Sequence, residues 1–513
     1  MTVSNAVDDT RKVSDPNAEY DSLYHIWKRN RAICGGEQAT KAFDASLDKE
    51  NNLNLLIPFS PSMTHQQYAL YRCEAELPGI VAEFTKMMIG GLLRKKPTLE
   101  LPDSIPDDTE NWILNHFSED DKPLTAFLDE ILWEEFQTSR SWIYLDFPNV
   151  SDDDDEESVR PYPVIWPAET VINWRVGVNK KKERCLVSVI VKGYEEVFDD
   201  ENKFHPALKE TVWVHELDEE GYYNIRKYQR RTEAAQVPVV TGQRRTTRNQ
   251  KTNDFEEVRE KIDYRVNGKR ITYIPAWPLN GNIAPKNPIL SVLVDKETAL
   301  YNKISRRNHL LYGAATYTPV LQSDMSDEDF NKIVERGLGS WIKIGREDKV
   351  DILKTPTEAL GDMEKAIISN IEEMAKLGIR MLSPEVNQSG VALEIRNASQ
   401  NAQLGSLNLK TSNTLRQVIA VMISWRNNIE LNTDDIGFEL SSDFNPIPLG
   451  ADWLRLATEW YENNLIPRSL WLLILKQNDM VPSDYDDGEA KKEIDGDGLT
   501  KVPEPTGDFA DQM

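Results

Sequence analysis

The chain has 513 residues, 40% of them hydrophobic, so it is long enough for about three or four units that each bury a core. Its 85 acidic and 60 basic side chains give a formal net charge of −25, which argues against a protein that holds phosphate backbones tightly. Any contact with DNA is therefore expected to be weak or local.

Near the N terminus, apolar residues over 20–45 recur at helical spacing, and Cys34-Gly35-Gly36 is expected to end or bend that helix. Residues 64–93 predict two consecutive helices, because Pro78-Gly79 interrupts the pattern. A short strand is predicted over 98–102.

The next segment predicts an amphipathic helix over 124–137 that leads into a strand over 141–147. Residues 160–278 then carry many short β-like runs. Asn267-Gly268 lies between two of these runs and favours a type I′ hairpin turn.

A basic stretch within this β-rich region stands out against the acidic background. Its members are Arg226, Lys227, Arg230, Arg231, Arg244, Arg245, Arg248 and Lys251. Because almost no apolar residue interrupts it, the prediction is a mobile hairpin loop, with contact to a capsid, a scaffold or DNA as the alternative.

After residue 288 the pattern is mainly helical. A helix of about 20 residues is predicted to end near Gly313, and residues 314–356 mix strand-like pieces with a short helix over 327–336. A second helix is predicted over 358–377. A loop containing Pro and Gly separates it from a helix of about 40 residues, roughly three times the mean globular length.

The end of the chain predicts a helix pair over 451–477, followed by a polar, acidic and disordered tail. No run approaches the ~18 apolar residues needed to cross a bilayer, and the first 20 residues lack signal-peptide features, so a soluble cytoplasmic product is expected. Cys34, Cys73 and Cys185 are too scattered for a disulfide framework or a zinc site and are expected to be buried thiols.

No motif predicts an enzyme, a cofactor or a metal site. A phosphate-binding loop of the G-x-x-x-x-G-K-[ST] type is absent from the sequence, and Ile342 stands where Gly337-Leu338-Gly339 would need a third glycine. The six histidines show no paired spacing. The acidic run of residues 152–157 could attract a divalent cation, but a solvated loop is the preferred interpretation.

Four basic residues follow residue 288. The second lies seven residues after the first, and the third and fourth lie three and four residues after the second. They are Lys296, Lys303, Arg306 and Arg307. In a helix they lie towards one face, opposite Leu293, Leu300 and Ile304, and could face DNA. A solvated helix face or salt bridges between subunits is the alternative.

The stretch Pro161–Val164 followed by Ala168–Arg175 resembles the P-Y-x-x-x-Y-x-A-E-x-I-I-N-W-R segment of the portal proteins (head-to-tail connectors) of tailed bacteriophages, with Trp166 where the pattern has tyrosine. The resemblance continues in order over about residues 20–490. Its further landmarks are Tyr24–Trp27, Gly35–Glu37, Tyr68–Arg72, Arg94–Pro97, Ile274-Pro275, Pro288–Leu290 and Ala392–Arg396.

The resemblance implies an α+β portal fold with a mixed α/β wing, two stem helices, a small α/β clip, a long kinked helix and a helical crown. By segment it implies a flexible N terminus (1–19), wing (20–288), first stem helix (289–312), clip (313–356), second stem helix (357–379), tunnel loop (380–390), long helix and return to the wing (391–445), crown (446–490) and disordered tail (491–513).

The resemblance also implies a function without catalysis. Such a protein is a virion component, made in the bacterial host cytoplasm, that forms a ring of about twelve copies at one capsid vertex. The ring is the channel for double-stranded DNA in packaging and ejection. Its expected partners are the terminase large subunit, the major capsid and scaffolding proteins, and head-tail adaptor or neck proteins. Another head-tail connector component is the alternative, and a DNA-processing enzyme is disfavoured.

The residues expected to line the DNA channel lie on the first stem helix and the tunnel loop. They are Lys303, Arg306, Arg307, Arg380, Met381, Leu382, Val386 and Asn387. The loop residues carry little charge, so their contact with DNA is expected to be steric, with Arg380 as the exception.

Overall fold

The computed structural model of the chain describes most of residues 12–441 and a few residues after them. The described residues are 12–47, 56–58, 63–106, 108–148, 160–179, 182–199, 202–233, 250–315, 318–322, 326, 328, 349–353, 358–374, 377, 390–441, 455, 458, 459, 461, 462 and 471. The chain divides into two compact units, residues 1–441 and 442–513. The fold class is α+β, as the sequence predicts.

Little of the second unit is described. Tyr461 stacks on Trp471 with 4.8 Å between the ring centroids, and the Trp471 indole donates a hydrogen bond to the Thr458 hydroxyl at 3.4 Å. Most of the predicted helix pair over 451–477, and the tail after it, lie outside the described residues.

Four helices open the first unit, and glycines set two of their boundaries. They are α1 (Ala18–Cys34), α2 (Gly36–Ser46), α3 (His65–Cys73) and α4 (Ile80–Leu92). Asn17 caps α1, since its side chain accepts a hydrogen bond from the Glu19 amide. Gly36 and Gly79 have φ values of 85° and 74°, which side chains other than glycine rarely adopt. Both predicted helix breaks are confirmed.

A three-stranded sheet and two helices follow in the same unit. The bounds are β1 (Thr98–Glu100), α5 (Asp108–Asn115), α6 (Leu124–Thr138), β2 (Trp142–Asp146), β3 (Tyr162–Trp166) and, later in the chain, β11 (Ala276–Pro278). The strand order is β11–β2–β3, all antiparallel. The predicted strand at β1, helix at α6 and strand at β2 are confirmed. α5 has no counterpart in the sequence prediction, because its short span carries too few periodic apolar positions.

The second sheet has five antiparallel strands in sequence order. They are β4 (Val171–Val178), β5 (Arg184–Asp199), β6 (Asn202–Leu217), β7 (Tyr223–Glu233) and β8 (Gln250–Asp263). β5, β6 and β7 are longer than the short β-like runs that the sequence predicts, because oppositely charged side chains on neighbouring strands continue the pairing. Lys192 of β5 with Glu210 of β6, 2.7 Å apart, is one such pair.

The loop predicted for the basic stretch is wrong at both ends. Arg226, Lys227, Arg230 and Arg231 lie in β7, and Lys251 lies in β8. Cross-strand ion pairs stabilise these segments in place of apolar packing: Arg230, for example, lies 2.7 Å from Glu210. The remaining members, Arg244, Arg245 and Arg248, lie outside the described residues.

The short hairpin of β9 (Arg265–Val266) and β10 (Lys269–Arg270) follows the five-stranded sheet. Its two central residues, Asn267 and Gly268, have φ values of 49° and 75°. Positive φ at both positions defines the type I′ turn that the sequence predicts.

After β11 the chain is mainly helical. The elements are α7 (Ser291–Ala315), β12 (Thr318–Gln322), β13 (Lys349–Leu353), α8 (Glu358–Met374), α9 (Gly390–Asn427) and β14 (Gly437–Glu439). β12 pairs with β13, and β14 returns to pair with β1. The predicted helices at α7, α8 and α9 and the strands at β12 and β13 are confirmed. The predicted helix over 327–336 and most of the loop over 380–390 lie outside the described residues.

The long helix α9 contributes much of the core of the first unit. Leu415, Val418, Met422 and Trp425, all members of the predicted apolar stripe, are buried. The helix contacts α4, β2, β11 and β14, so it joins the N-terminal helices to the three-stranded sheet.

The prediction that all three cysteines are buried is wrong. Cys34 is buried, but Cys73 is exposed and Cys185 is half-buried. Cys73 is the last residue of α3 and Cys185 is the second residue of β5, so both lie at the end of an element.

Candidate functional site

Three of the predicted channel residues, Lys303, Arg306 and Arg307, lie on α7, which packs against α8. Polar contacts join the two helices. Residues later in α7 contact residues earlier in α8, so the helices are antiparallel. The pairs are Lys296 with Glu373, Lys303 with Ala366, and Arg307 with Glu364. The buried Asn370 side chain also donates to the Lys296 carbonyl at 3.1 Å. These contacts fix the register of the pair.

The opposite face of α7 packs against the N-terminal helices α1, α3 and α4. Its buried members are Leu293, Val294, Leu300 and Tyr301. Glu297 is fully buried among them, and its carboxylate accepts hydrogen bonds from the amides of Ile80 at 2.9 Å and Val81 at 2.7 Å. It therefore caps the first turn of α4 from another helix and fixes α7 in place. Burial raises the pKa of Glu297.

Three of the four basic residues predicted on this helix face α8 of the same chain. The Lys303 ammonium donates to the Ala366 carbonyl at 3.3 Å, and the Arg307 guanidinium lies 3.7 Å from the Glu364 carboxylate. Arg306 is exposed and makes a hydrogen bond with the Tyr71 hydroxyl. Two of the α7–α8 contacts, Lys296 with Glu373 and Arg307 with Glu364, are thus ion pairs within one chain.

The other predicted channel residues belong to the tunnel-loop segment. They are Arg380, Met381, Leu382, Val386 and Asn387, and all five lie outside the described residues. The helix pair is therefore the part of the predicted channel whose geometry is defined.

The outer surface of the helix pair carries exposed apolar side chains among charged ones. Its exposed large side chains are Val292, Leu311 and Tyr312 on α7, and Ile368 and Ile371 on α8. Carboxylates of α8 lie among them, with the Glu364 side chain 58% exposed.

The motif residues 161–175 have a structural role in this protein. Ala168 and Ile172 belong to a buried cluster with Leu23 and Trp27 of α1. The Tyr20 hydroxyl, from the same helix, donates to the Glu169 carbonyl at 2.8 Å. The motif therefore anchors α1 to the turn between β3 and β4.

A charged network strengthens the same contact. The Arg31 guanidinium bonds to the carboxylates of Glu134 and Glu169, the latter at 2.6 Å, and the Glu134 carboxylate also accepts from the Ala168 amide at 3.0 Å. Burial lowers the pKa of Arg31, but hydrogen bonds to the two carboxylates outweigh it, and the pKa lies above its ordinary value. Spacing along the chain gives no signal for this network, because its members come from three separate elements.

Glu135, next along α6, is a second buried carboxyl that the sequence analysis did not identify. One oxygen accepts from the Ser141 amide at 3.0 Å and from its hydroxyl at 2.7 Å, and the other accepts from the Asn280 amide at 2.9 Å. Burial raises the pKa of Glu135 to about 7. A carboxyl with this pKa can serve as a general base, but both of its oxygens are engaged in joining α6, β2 and the loop after β11.

His215 lies in a third buried polar cluster, inside the five-stranded sheet. Its Nδ1 is 2.6 Å from the Tyr223 hydroxyl, which lies 3.2 Å from the Tyr144 hydroxyl. Burial lowers the pKa of His215 to about 3, so the ring is neutral at neutral pH. The ring packs against Trp166, with 4.9 Å between centroids, and the cluster forms part of the core.

The described part of the chain contains neither a metal-binding cluster nor a membrane-spanning helix. No three His, Cys, Asp or Glu side chains among these residues lie where they could hold a metal ion. No described helix is both long and apolar enough to span a membrane.

The comparisons with known proteins give a partial family match. Residues 289–426, from the start of α7 to near the end of α9, match the model of a domain of unknown function (DUF4055). No curated protein matches the chain. The matched segment covers less than half of the chain and contains the helix pair.

Similar solved structures come from gene transfer agent (GTA) particles. A chain from the virion of a native GTA particle has 7% identity and a TM-score of 0.34, over 81% of this chain and 89% of its own. A chain from the neck of a native GTA particle computed with C12 symmetry has 8% identity and a TM-score of 0.33. The match covers 80% of this chain and 93% of that chain. A chain from the neck of an empty GTA particle computed with C6 symmetry has 8% identity and a TM-score of 0.31. The match covers 84% of this chain and 94% of that chain. These scores are too low to define a shared fold.

Proposed function

We propose that the chain is a portal subunit of a tailed-phage type of virion. Copies form a ring at one capsid vertex, and double-stranded DNA passes along the axis in packaging and ejection. The terminase docks on the ring during packaging, and head-tail adaptor or neck proteins replace it afterwards. Capsid and scaffolding proteins contact its outside. The protein has no catalytic role of its own.

The observation that carries the proposal is the antiparallel pair of α7 and α8, separated in sequence by the β12–β13 hairpin and followed by α9. This order is the one that the resemblance implies for two stem helices around a clip and a long helix. The N-terminal helices and the two sheets then form the wing, and residues 446–490 the crown. The motif at 161–175 supports the proposal because it builds the contact between α1 and β4 within the wing.

Charge and surface chemistry support a channel. A formal charge of −25 on each copy gives an assembled wall that repels DNA, and a duplex that does not adhere can slide. Rotational symmetry requires head-to-tail interfaces that close, and the exposed apolar side chains of the helix pair offer surface for such contacts.

Electron microscopy of the purified full chain tests the ring directly. We expect closed rings of about twelve copies, because a heterologous interface that closes gives one preferred number. A chain that forms no ring at any concentration, alone or with scaffolding protein, would refute a portal role. An assay of the same sample for ATP hydrolysis tests the absence of motor activity.

Charge reversal tests the channel residues, with a swapped pair as the control. Lys303→Glu with Arg307→Glu places negative charge towards the DNA path but also removes the contacts with α8. Arg307→Glu with Glu364→Arg keeps an ion pair across the helices but moves the positive charge from α7 to α8. Slower packaging in the double reversal, with normal packaging in the swapped variant, assigns the effect to helix packing. Unchanged packaging and DNA retention in both shows that these residues do not line the path.

A further inference from the structure

A groove runs along the loop between β11 and α7, with α9 on one side and the start of β5 on the other. Three adjoining cavities of about 640, 560 and 320 Å³ make up this groove and share loop residues, among them Asn280, Asn282 and Lys286. We call it the loop groove. None of its residues belongs to the helix pair of the proposed channel.

One wall of the loop groove is a polar stripe of α9. Lys410, Asn413 and Gln417 follow each other at spacings of three and four residues, so they lie on one helix face, and all three are exposed. The half-buried Trp277 lines the groove beside them. An aromatic surface beside an open polar wall suits an extended peptide segment.

Unpaired positive charge distinguishes this groove. The side chains of Arg184, Lys286 and Lys410 line it, and none makes an ion pair or hydrogen bond with any residue that the structure describes. The carboxylates that line it are Glu19, which is exposed, and Glu135, whose oxygens are already engaged. In a chain of net charge −25, a concave surface with three unpaired cations is complementary to an acidic segment.

Free amide groups add hydrogen-bonding capacity along the same surface. The side chains of Asn287, Asn413 and Gln417 line the groove and have no hydrogen-bond partner within the described ranges. Each amide can donate to and accept from a peptide backbone. Cations and amides side by side can thus recognise carboxylates and main chain together.

The chain itself contains a segment of the required chemistry. Residues 152–157 are six consecutive acidic residues, Asp-Asp-Asp-Asp-Glu-Glu. They lie in the connection between β2 and β3, whose ends are held together by the pairing of Asp146 with Tyr162. No other acidic run in the sequence has six consecutive members.

The connection leaves the sheet at the end that lies farther from the groove of its own chain. It leaves β2 at Asp146, whereas the groove begins at Trp142, about 13 Å away at the opposite end of the strand. With both ends fixed together, the 15 residues between Asp146 and Tyr162 extend at most about 25 Å from the sheet. Projected outward, about 25 Å is the distance over which the run can meet a neighbouring copy in the proposed ring.

We propose that the loop groove binds the acidic run of residues 152–157 from a second copy of the chain. The inference rests on the proposed ring, because it requires a second copy beside the first. Carboxylates of the run pair with Arg184, Lys286 and Lys410, and the amides of α9 bind its backbone.

Peptide binding tests the groove without requiring a ring. The probe is a fluorescent peptide of residues 149–160, and the binder is the full chain with residues 152–157 changed to Asn and Gln, so that no acidic run competes. We expect saturable, salt-sensitive binding that Lys410→Glu weakens about tenfold or more, because a repelling charge replaces an attracting one. Lys209→Glu, the same change at an exposed cation of β6, should alter it less than about twofold.

Cross-linking distinguishes binding within one copy from binding between two copies. In a mixture of ¹⁴N- and ¹⁵N-labelled wild-type chains, a carbodiimide should join the Lys410 or Lys286 amine to a carboxylate of residues 152–157 in products that carry both labels. Products that always carry a single label would overturn the second copy, and equal peptide binding by the Lys410→Glu and Lys209→Glu variants would overturn the groove.

The outcomes distinguish this inference from the proposed function. Rings that form normally from the chain with the neutralised run, together with absent peptide binding, overturn the inference and leave the portal proposal intact. Peptide binding by a chain that never forms rings would overturn the portal proposal and leave the groove's affinity for the acidic run intact. Binding of a single-stranded oligonucleotide, but not of the peptide, would assign the groove to nucleic acid and also overturn the inference.

Discussion

Substitution of the buried Glu135 by glutamine should change how stability depends on pH. The pKa of this carboxyl is about 7 in the folded chain, against an ordinary value of 4.5. A raised pKa means that the folded state binds the proton more tightly than the unfolded state. The corresponding stability is fully present below pH 4.5 and is lost as the pH rises through about 7.

The magnitude follows from the same two pKa values. The difference between 4.5 and about 7 corresponds to about 3 kcal/mol of unfolding free energy, lost by the wild type between pH 5 and 8. Glu135→Gln cannot ionise, so it avoids this loss. Its amide can bond to Asn280 and the Ser141 hydroxyl but leaves the Ser141 amide without an acceptor, at a cost of about 1–3 kcal/mol.

Urea unfolding at pH 5, 7 and 9, followed by tryptophan fluorescence, measures the effect. At pH 5 the variant should be the less stable protein by about 1–3 kcal/mol, and at pH 9 the gap should close or reverse. Asp129→Asn, on the exposed side of the same helix, is the control and should follow the wild type. Parallel pH profiles for Glu135→Gln and the wild type would refute the reasoning.

Three further substitutions probe the other buried polar groups. Glu297→Ala should lower the unfolding free energy by about 2–4 kcal/mol, because two amides of α4 lose their acceptor; a urea midpoint equal to the wild type would contradict this. Arg31→Met should cost about 3–5 kcal/mol in the same assay, and adding Glu134→Gln and Glu169→Gln should recover part of it, since no unpaired carboxylate then remains. The depressed pKa of His215 contributes stability that is present above pH 6.5 and is lost as the pH falls towards 3. His215→Gln should therefore flatten the stability profile between pH 6.5 and about 4, and an unchanged slope would count against burial as its cause.

Local patterns predict most of the helices correctly. The break between α1 and α2, the start of α4 and the β9–β10 turn each depend on a residue that must adopt positive φ, and such residues are visible in the sequence. α6, α7 and α9 are long enough for apolar periodicity to identify them. For these elements the information lies within a few neighbouring residues.

The basic end of β7 shows where this information ends. Arg230 carries no strand signal of its own, and its extended conformation is stabilised by the Glu210 carboxylate, which faces it from β6 at 2.7 Å. That opposition depends on the register of two strands and not on either sequence alone. The same limitation applies to Glu135, whose pKa is set by three elements that pack around it.

The sequence by itself determined the α+β class, the order of the helices and the acidic character of the chain. Tertiary structure decided the partners of the charged groups. Lys303 and Arg307 turn towards α8, whereas Arg184, Lys286 and Lys410 line one groove and have no partner among the described residues. The physical reason is that helix formation and net charge follow from local residues and composition. Pairing and burial instead depend on which distant segments the fold brings together.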